Sequence, residues 1–200
     1  MIKNKTYVYA DFEFTKLASP NGKNFLLSIA LVTDDKNIYF YAEKDLSSFA
    51  MNNLDEWIKK NVVDNFIINK DSLNPNHHIF ENKHQLKEML KEWFEKSFKN
   101  NKEIVIVLDV GQFDWVYFCD IFDSAFNIPK NIFYAPIDIS TLFFLNKNIS
   151  SEVYSNGDVD RLKFIEKYSK DKQILENINK QHNSLFDAYV CKECFYLLSK

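Results

Sequence analysis

Arginine is nearly missing from this chain: of 25 basic residues only Arg161 is Arg. The surplus of Lys, Asn, Ile and Phe matches the codon bias of an AT-rich genome and carries little chemistry. Excess positive charge is missing too. The net charge is −3 and the pI is near 5.8, which excludes a broad basic surface for nucleic acid. A polyanion partner would have to be held by a local patch or by bound metal. Cysteine is scarce, with Cys119, Cys191 and Cys194 alone, and an odd count argues against a disulfide framework. Cys191 and Cys194 form a CxxC without a second pair, short of the four ligands of a zinc ribbon. They read as two half-buried cysteines on a helix. Apolar runs fall far short of a membrane span. The opening "MIKNKTYVYADFEF" has no apolar core ahead of its acids. The expectation is a soluble, cytoplasmic protein.

What is present is ordinary for a globular chain: 46% hydrophobic and 26% charged residues, with aromatics plentiful at 16%. No repeat, low-complexity block or linker divides it, so 1–200 reads as a single domain, long enough for a full core. "TYVYADFEF" (6–14), "FLLSIALVT" (25–33) and "NIYFYAE" (37–43) read as strands, the last two as a hairpin turned at "DDK". The spacing of Leu54, Trp57, Ile58, Val62 and Phe66 predicts a helix over 52–66, and a similar stripe predicts one over 84–98. Between them "INKDSLNPNHH" reads as a loop with exposed histidines, and His84 as exposed too. "IVIVL" (104–108) is apolar at every residue, as a strand covered on both faces would be. A helix at 114–122, a strand at 131–138, Lys-rich helical segments over 158–178 and a last helix from about Ser184 complete the pattern. Asp138 reads as the cap of the helix that follows it. Three early strands followed by helix–strand alternation predict an α/β domain with a mixed central sheet flanked by helices.

Four acids and one histidine stand out. Asp11 and Glu13 are two apart in the first strand, so both leave by one face. Adjacent carboxylates repel unless a cation lies between them, and oxygen ligands suit a hard divalent ion. Asp114 follows the buried strand, where helix N-capping is its other reading. Asp109 competes for the same role. In "QHNSLFDAYV", His182 precedes Asp187 by five residues. A continuous helix would set them about 140° apart. A helix starting at Ser184 lets His182 fold back toward Asp187. The same stretch also fits a capping box, Ser184-x-x-Asp187, with Asp for the usual Glu.

The order of these elements resembles the DEDDh 3′–5′ exonucleases, a family with a ribonuclease H-like fold. Their Asp-x-Glu appears as "DFEF", their second motif as "GQFDWVYF", and their His-x-Ala-x-x-Asp-Ala as "HNSLFDA", with Ser184 at the first Ala position. The sister class with Tyr would need it at Asn183. The likeness spans the chain and is greatest to the small AS-type exoribonucleases that trim poly(A) tails. It departs at Phe12, where many relatives carry Thr, and at Ser184. The resemblance implies that Asp11, Glu13, Asp114 and Asp187 hold two Mg²⁺ or Mn²⁺ ions and that His182 is the general base. It implies hydrolysis from the 3′ end of single-stranded nucleic acid, RNA ahead of DNA, and a homodimer. Phe14, beside the acids, is a candidate stacking residue for the terminal base, with core packing as its other reading. Lys16 and Lys23 read first as solvated loop lysines, with contact to backbone phosphates as the other reading. A DNA proofreading or repair exonuclease, and a non-catalytic binding module on the same fold, are the rival functions. Retention of all five residues counts against the module.

Overall fold

The computed structural model describes residues 5–15, 25–48, 54–68, 74–98, 103–176 and 180–199. Lys16 and Lys23 lie outside them. Its frame is β1 (Lys5–Phe14), β2 (Leu26–Val32) and β3 (Tyr39–Lys44), each antiparallel to the one before. β4 (His77–Phe80) then adds parallel to β3 at one edge. On the other side β5 (Glu103–Leu108) runs parallel to β1, and β6 (Ile137–Asp138) runs parallel to β5. Among the described residues the sheet is thus mixed and six-stranded, in the order β4-β3-β2-β1-β5-β6. β1 is interior, as its apolar sequence predicts.

Among the described residues six helices flank or border this sheet besides the short α1 (Glu56–Asn61): α2 (Lys83–Ser97), α3 (Gly111–Ile121), α4 (Ile139–Leu145), α5 (Arg161–Tyr168), α6 (Lys172–Glu176) and α7 (Ser184–Leu198). A two-stranded hairpin, β7 (Tyr154–Ser155) and β8 (Asp158–Val159), precedes α5. Strand alternation divides the core in two. Val8, Ala10 and Phe12 of β1 pack with Leu86, Leu90 and Phe94 of α2 and Phe118 of α3. Tyr7 and Tyr9 face the other way, toward Phe143 of α4, Phe164 of α5 and Cys191 and Phe195 of α7. Ile104, Ile106 and Leu108 join the first layer and Val105 and Val107 the second, which is why β5 is apolar throughout. Each such buried Leu, Ile, Val or Phe stabilises the fold by about 1.5–3 kcal/mol. No helix among the described residues is long and apolar enough to cross a membrane.

Several local expectations change. The helix expected over 52–66 is only Glu56–Asn61, followed by a 3-10 turn at Val63–Asn65. Asp55 caps it by accepting the Trp57 N–H at 2.8 Å, which starts the helix after Leu54. Trp57 is 52% exposed and not part of a buried stripe. His77 and His78 are not loop residues but the first half of β4. The ring of His78 stacks on Phe40 at 4.7 Å, and His77 lies 3.2 Å from the Tyr39 hydroxyl. His84 is exposed as expected. The strand expected over 131–138 is reduced to one bridge at Ile132 and the two residues of β6. Pro136, which has no N–H to donate, lies between them. Cys191 and Cys194 are fully buried, not half-buried, and all three cysteines are free.

Candidate functional site

The parallel ladder between β1 and β5 ends at Ala10 and Leu108, whereas the antiparallel ladder with β2 continues to Phe14. Asp11 and Glu13 therefore project past the end of β5, on the face that Tyr7 and Tyr9 present to α7. That face receives the first turn of α7. Its N-cap is Asn183, whose side chain accepts the Phe186 N–H at 3.2 Å. The capping box on Ser184 is not formed, and the buried Ser184 hydroxyl donates to Ser28 Oγ at 3.0 Å. His182 precedes the cap in a left-handed conformation, φ +66°, and its backbone N–H donates to Asp187 Oδ2 at 2.7 Å. The chain thus folds back before the helix starts, as a shared site for His182 and Asp187 requires.

Glu13, His182 and Asp187 each place one candidate ligand atom within 4.8 Å of the others. His182 Nδ1 is 4.0 Å from Glu13 Oε1. Asp11 and Asp114 stand outside this compact triplet and meet it through charge. The carboxyl of Asp11 is pushed well above the usual range by burial, then by repulsion from Asp187, Asp114, Glu13 and Asp109. Glu13 is pushed up to about 8 by burial and by Asp187. Asp114 also rises well above the ordinary value, through burial and then Asp109 and Glu13. Asp187 rises to about 7 because it is buried, although the His182 N–H opposes the shift. Among the described residues no Lys or Arg pairs with any of the four.

Asp114 does not cap its helix. α3 begins three residues earlier than expected, with Val110 at the cap position and no side-chain cap bond, so Asp114 lies buried in the first turn. Gly111 permits that early start. A Cβ there would stand 3.2 Å from Leu108 Cβ and 3.6 Å from Asp138 Cβ, so the helix sets out hard against the ends of β5 and β6. Asp138 caps α4 as expected and also accepts the Gly111 N–H at 3.2 Å. Asp109 belongs to another partnership. Arg161 binds both of its oxygens, and Ser140 Oγ donates to it at 2.8 Å.

Two aromatic residues change places relative to expectation. Phe14 leaves β1 by the face opposite Asp11 and Glu13 and stacks on Tyr117 at 4.5 Å, against the first core layer. Trp57, read in the sequence as part of a buried helical stripe, instead meets the His182 ring edge-on at 4.9 Å. Partial burial lowers the pKa of His182, so its imidazole is neutral near pH 7.

The four acids offer carboxylate oxygens, the donors a hard divalent cation prefers, and the His182 imidazole stands beside them. Asp11 Oδ2 is buried and has no hydrogen-bond partner. An orphaned carboxylate oxygen of this kind is costly without a cation, and the residues present fit one. No family model matches the chain, and no curated protein matches it either.

Proposed function

We propose that this chain is a metal-dependent 3′–5′ exonuclease of the DEDDh type, on a ribonuclease H-like fold, acting on single-stranded RNA. The observation that carries the proposal is the gathering of Asp11, Glu13, Asp114 and Asp187. All four are raised by burial, Asp11, Glu13 and Asp114 also by repulsion from others of the set, and Asp11 Oδ2 has no partner. A cluster of this cost fits a site that binds cations. The order of strands supports the fold reading, because a central β1 carries an antiparallel meander on one side and parallel strands on the other.

Asp11, Glu13, Asp114 and Asp187 would hold two Mg²⁺ or Mn²⁺ ions. Such ions lower the pKa of an attacking water and offset charge on the attacking and leaving oxygens of a phosphodiester. His182, neutral and beside Glu13 and Asp187, takes the proton of the attacking water as general base. Trp57, half exposed against the His182 ring, offers an aromatic surface to the terminal base. Phe14, stacked on Tyr117, is better used in packing than in binding.

Digestion of 5′-labelled RNA and DNA oligonucleotides with Mg²⁺ or Mn²⁺ tests the proposal. A ladder shortening one nucleotide at a time from the 3′ end, faster on RNA and lost with chelator, is expected. Absence of metal-dependent shortening of either polymer overturns the reading. A faster DNA ladder keeps the chemistry and changes the substrate.

A further inference from the structure

His182 sits in an uncommon backbone conformation for a residue other than glycine, and the chain on both sides of it is tied to one residue. Asn65 Nδ2 donates to the Gln181 carbonyl at 3.1 Å. The Asn65 carbonyl accepts from Asn183 Nδ2 at 2.8 Å. Asn65 therefore grips the residue before His182 with its side chain and the residue after it with its backbone. The grip is anchored at both ends. Asn65 Nδ2 also donates to the Asn61 carbonyl of α1 at 2.6 Å, the helix that carries Trp57. Asn183 Nδ2 also donates to the Tyr41 hydroxyl at 3.2 Å. Tyr41 in turn donates to the buried Glu43 at 2.6 Å. Glu43 accepts the N–H groups of Ile67 and Ile68, at 2.6 and 3.1 Å, just beyond Asn65. The circuit closes on β3, in the rigid sheet.

We infer that Asn65 is the positioning residue for His182, holding the loop ahead of α7 so that the imidazole stays over Glu13 and Asp187. The physical reason is selection of one backbone state. A left-handed backbone is disfavoured for a residue other than glycine, and a loop free to relax would carry the imidazole away. Both amide hydrogens of Asn65 and both of Asn183 are used in the clamp, so neither residue can rotate without losing a bond. The contribution of Asn65 to turnover rests on the exonuclease reading; the clamp itself does not.

Two measurements separate these claims. Asn65→Ala should lower kcat roughly tenfold or more while leaving KM within about twofold, since small misplacements of a reacting group are costly. In a His182→Ala background the same change should have no further effect. Equal losses in both backgrounds would assign Asn65 to general stability and overturn the inference. Tyr41→Phe, which keeps the buried ring and removes the hydroxyl that Asn183 uses, should give the same pattern more weakly and serves if Asn65→Ala folds poorly. Amide hydrogen exchange needs no turnover. Asn65→Ala should speed exchange at the His182 N–H by roughly tenfold, with Ile106 in β5 unchanged, as local opening requires. Unchanged exchange at His182, or an equal rise at Ile106, overturns the clamp. Wild-type protein that shortens no oligonucleotide but shows the exchange pattern overturns the function and leaves the clamp standing.

Discussion

Arg161 holds Asp109 by two parallel contacts, Nε to Oδ2 and Nη2 to Oδ1, each 2.8 Å long. The single arginine of the chain therefore neutralises the one acid near the cluster that sequence spacing could not exclude. Arg161 also donates to Ser140 Oγ and covers the Phe143 ring. With Asp109 matched by a fixed cation, the other four carboxylates have no Lys or Arg partner among the described residues.

Arg161→Met should destabilise the protein by roughly 1–3 kcal/mol, less than for a fully buried pair, because it strands a carboxylate that is 26% exposed. Urea denaturation measures this. Arg161→Lys should recover part of the loss, since a lysine keeps the charge but cannot reach both oxygens. Identical midpoints for Met and wild type would show that the pair contributes nothing.

Asp11→Asn should abolish turnover and raise the melting temperature of the metal-free protein. Asparagine removes the acid whose ionisation is opposed by burial and then by repulsion from Asp187, Asp114 and Glu13. A gain of roughly 1 kcal/mol corresponds to about 2–4 °C in a chain of this size. Calorimetry with and without Mg²⁺ checks both parts, because the variant should also lose the stabilisation that Mg²⁺ gives the wild type. A wild-type rate at saturating Mg²⁺ would remove Asp11 from the ligand set.

The pH dependence follows first from the burial of these acids and then from repulsion by neighbouring carboxylates. Glu13 at about 8 and Asp187 at about 7 lie above the ordinary carboxylate value. Groups raised on folding stabilise the fold fully below their unfolded pKa, near 4, and lose that contribution as pH climbs through the folded value. Metal-free protein should therefore lose stability between about pH 4 and pH 8, and Glu13→Gln should flatten the decline. Mg²⁺ requires the deprotonated acids, so the stabilisation it gives should grow over the same interval. Melting curves at several pH values, with chelator and with Mg²⁺, report both trends.

His182→Ala keeps the backbone N–H that Asp187 accepts, so helix α7 and metal affinity should change little. The rate should fall by roughly 10²–10⁴-fold, the usual worth of a general base. Single-turnover kinetics at saturating Mg²⁺, with titration of Mn²⁺ binding alongside, separate the two effects. A wild-type rate and pH profile would leave His182 without a catalytic role.

Trp57→Ala should raise KM for oligonucleotides, since base–aromatic stacking is worth about 1–3 kcal/mol. Stability should move little because half of the ring is already in solvent. Fluorescence quenching of Trp57 on oligonucleotide binding to the Asp11→Asn variant gives an independent check.

Legibility followed the range of the interactions. The period of two in "DFEF" and the apolar run of β5 are local signals, and they yielded β1, β5 and the shared face of Asp11 and Glu13. The start of α7 was readable because His182 and Asp187 are five residues apart and mutually constrained. Asp114 was assigned to the right element but for an incomplete reason, since α3 starts at Gly111 through a close approach to Leu108 and Asp138. The pairing of Arg161 with Asp109 spans 52 residues, and that of Asn183 with Asn65 spans 118. No periodicity encodes such partners. β4 was missed because its two histidines look polar in sequence, while Phe40 and Tyr39 supply aromatic neighbours only in the folded sheet.

The two outermost strands of the sheet, β4 and β6, have four and two residues. Open edges are where sheets recruit further strands, from other copies or from misfolded neighbours. Among the described residues an incoming strand would find at β6 a two-residue template, beside Pro136, and at β4 a four-residue one that opens with two histidines. Growth of the sheet from chain to chain is thereby discouraged. Helix and loop surfaces offer self-association another route, and Phe144 on α4 is 88% exposed. Cross-linking at that helix, rather than at the strand edges, is where self-association should be sought.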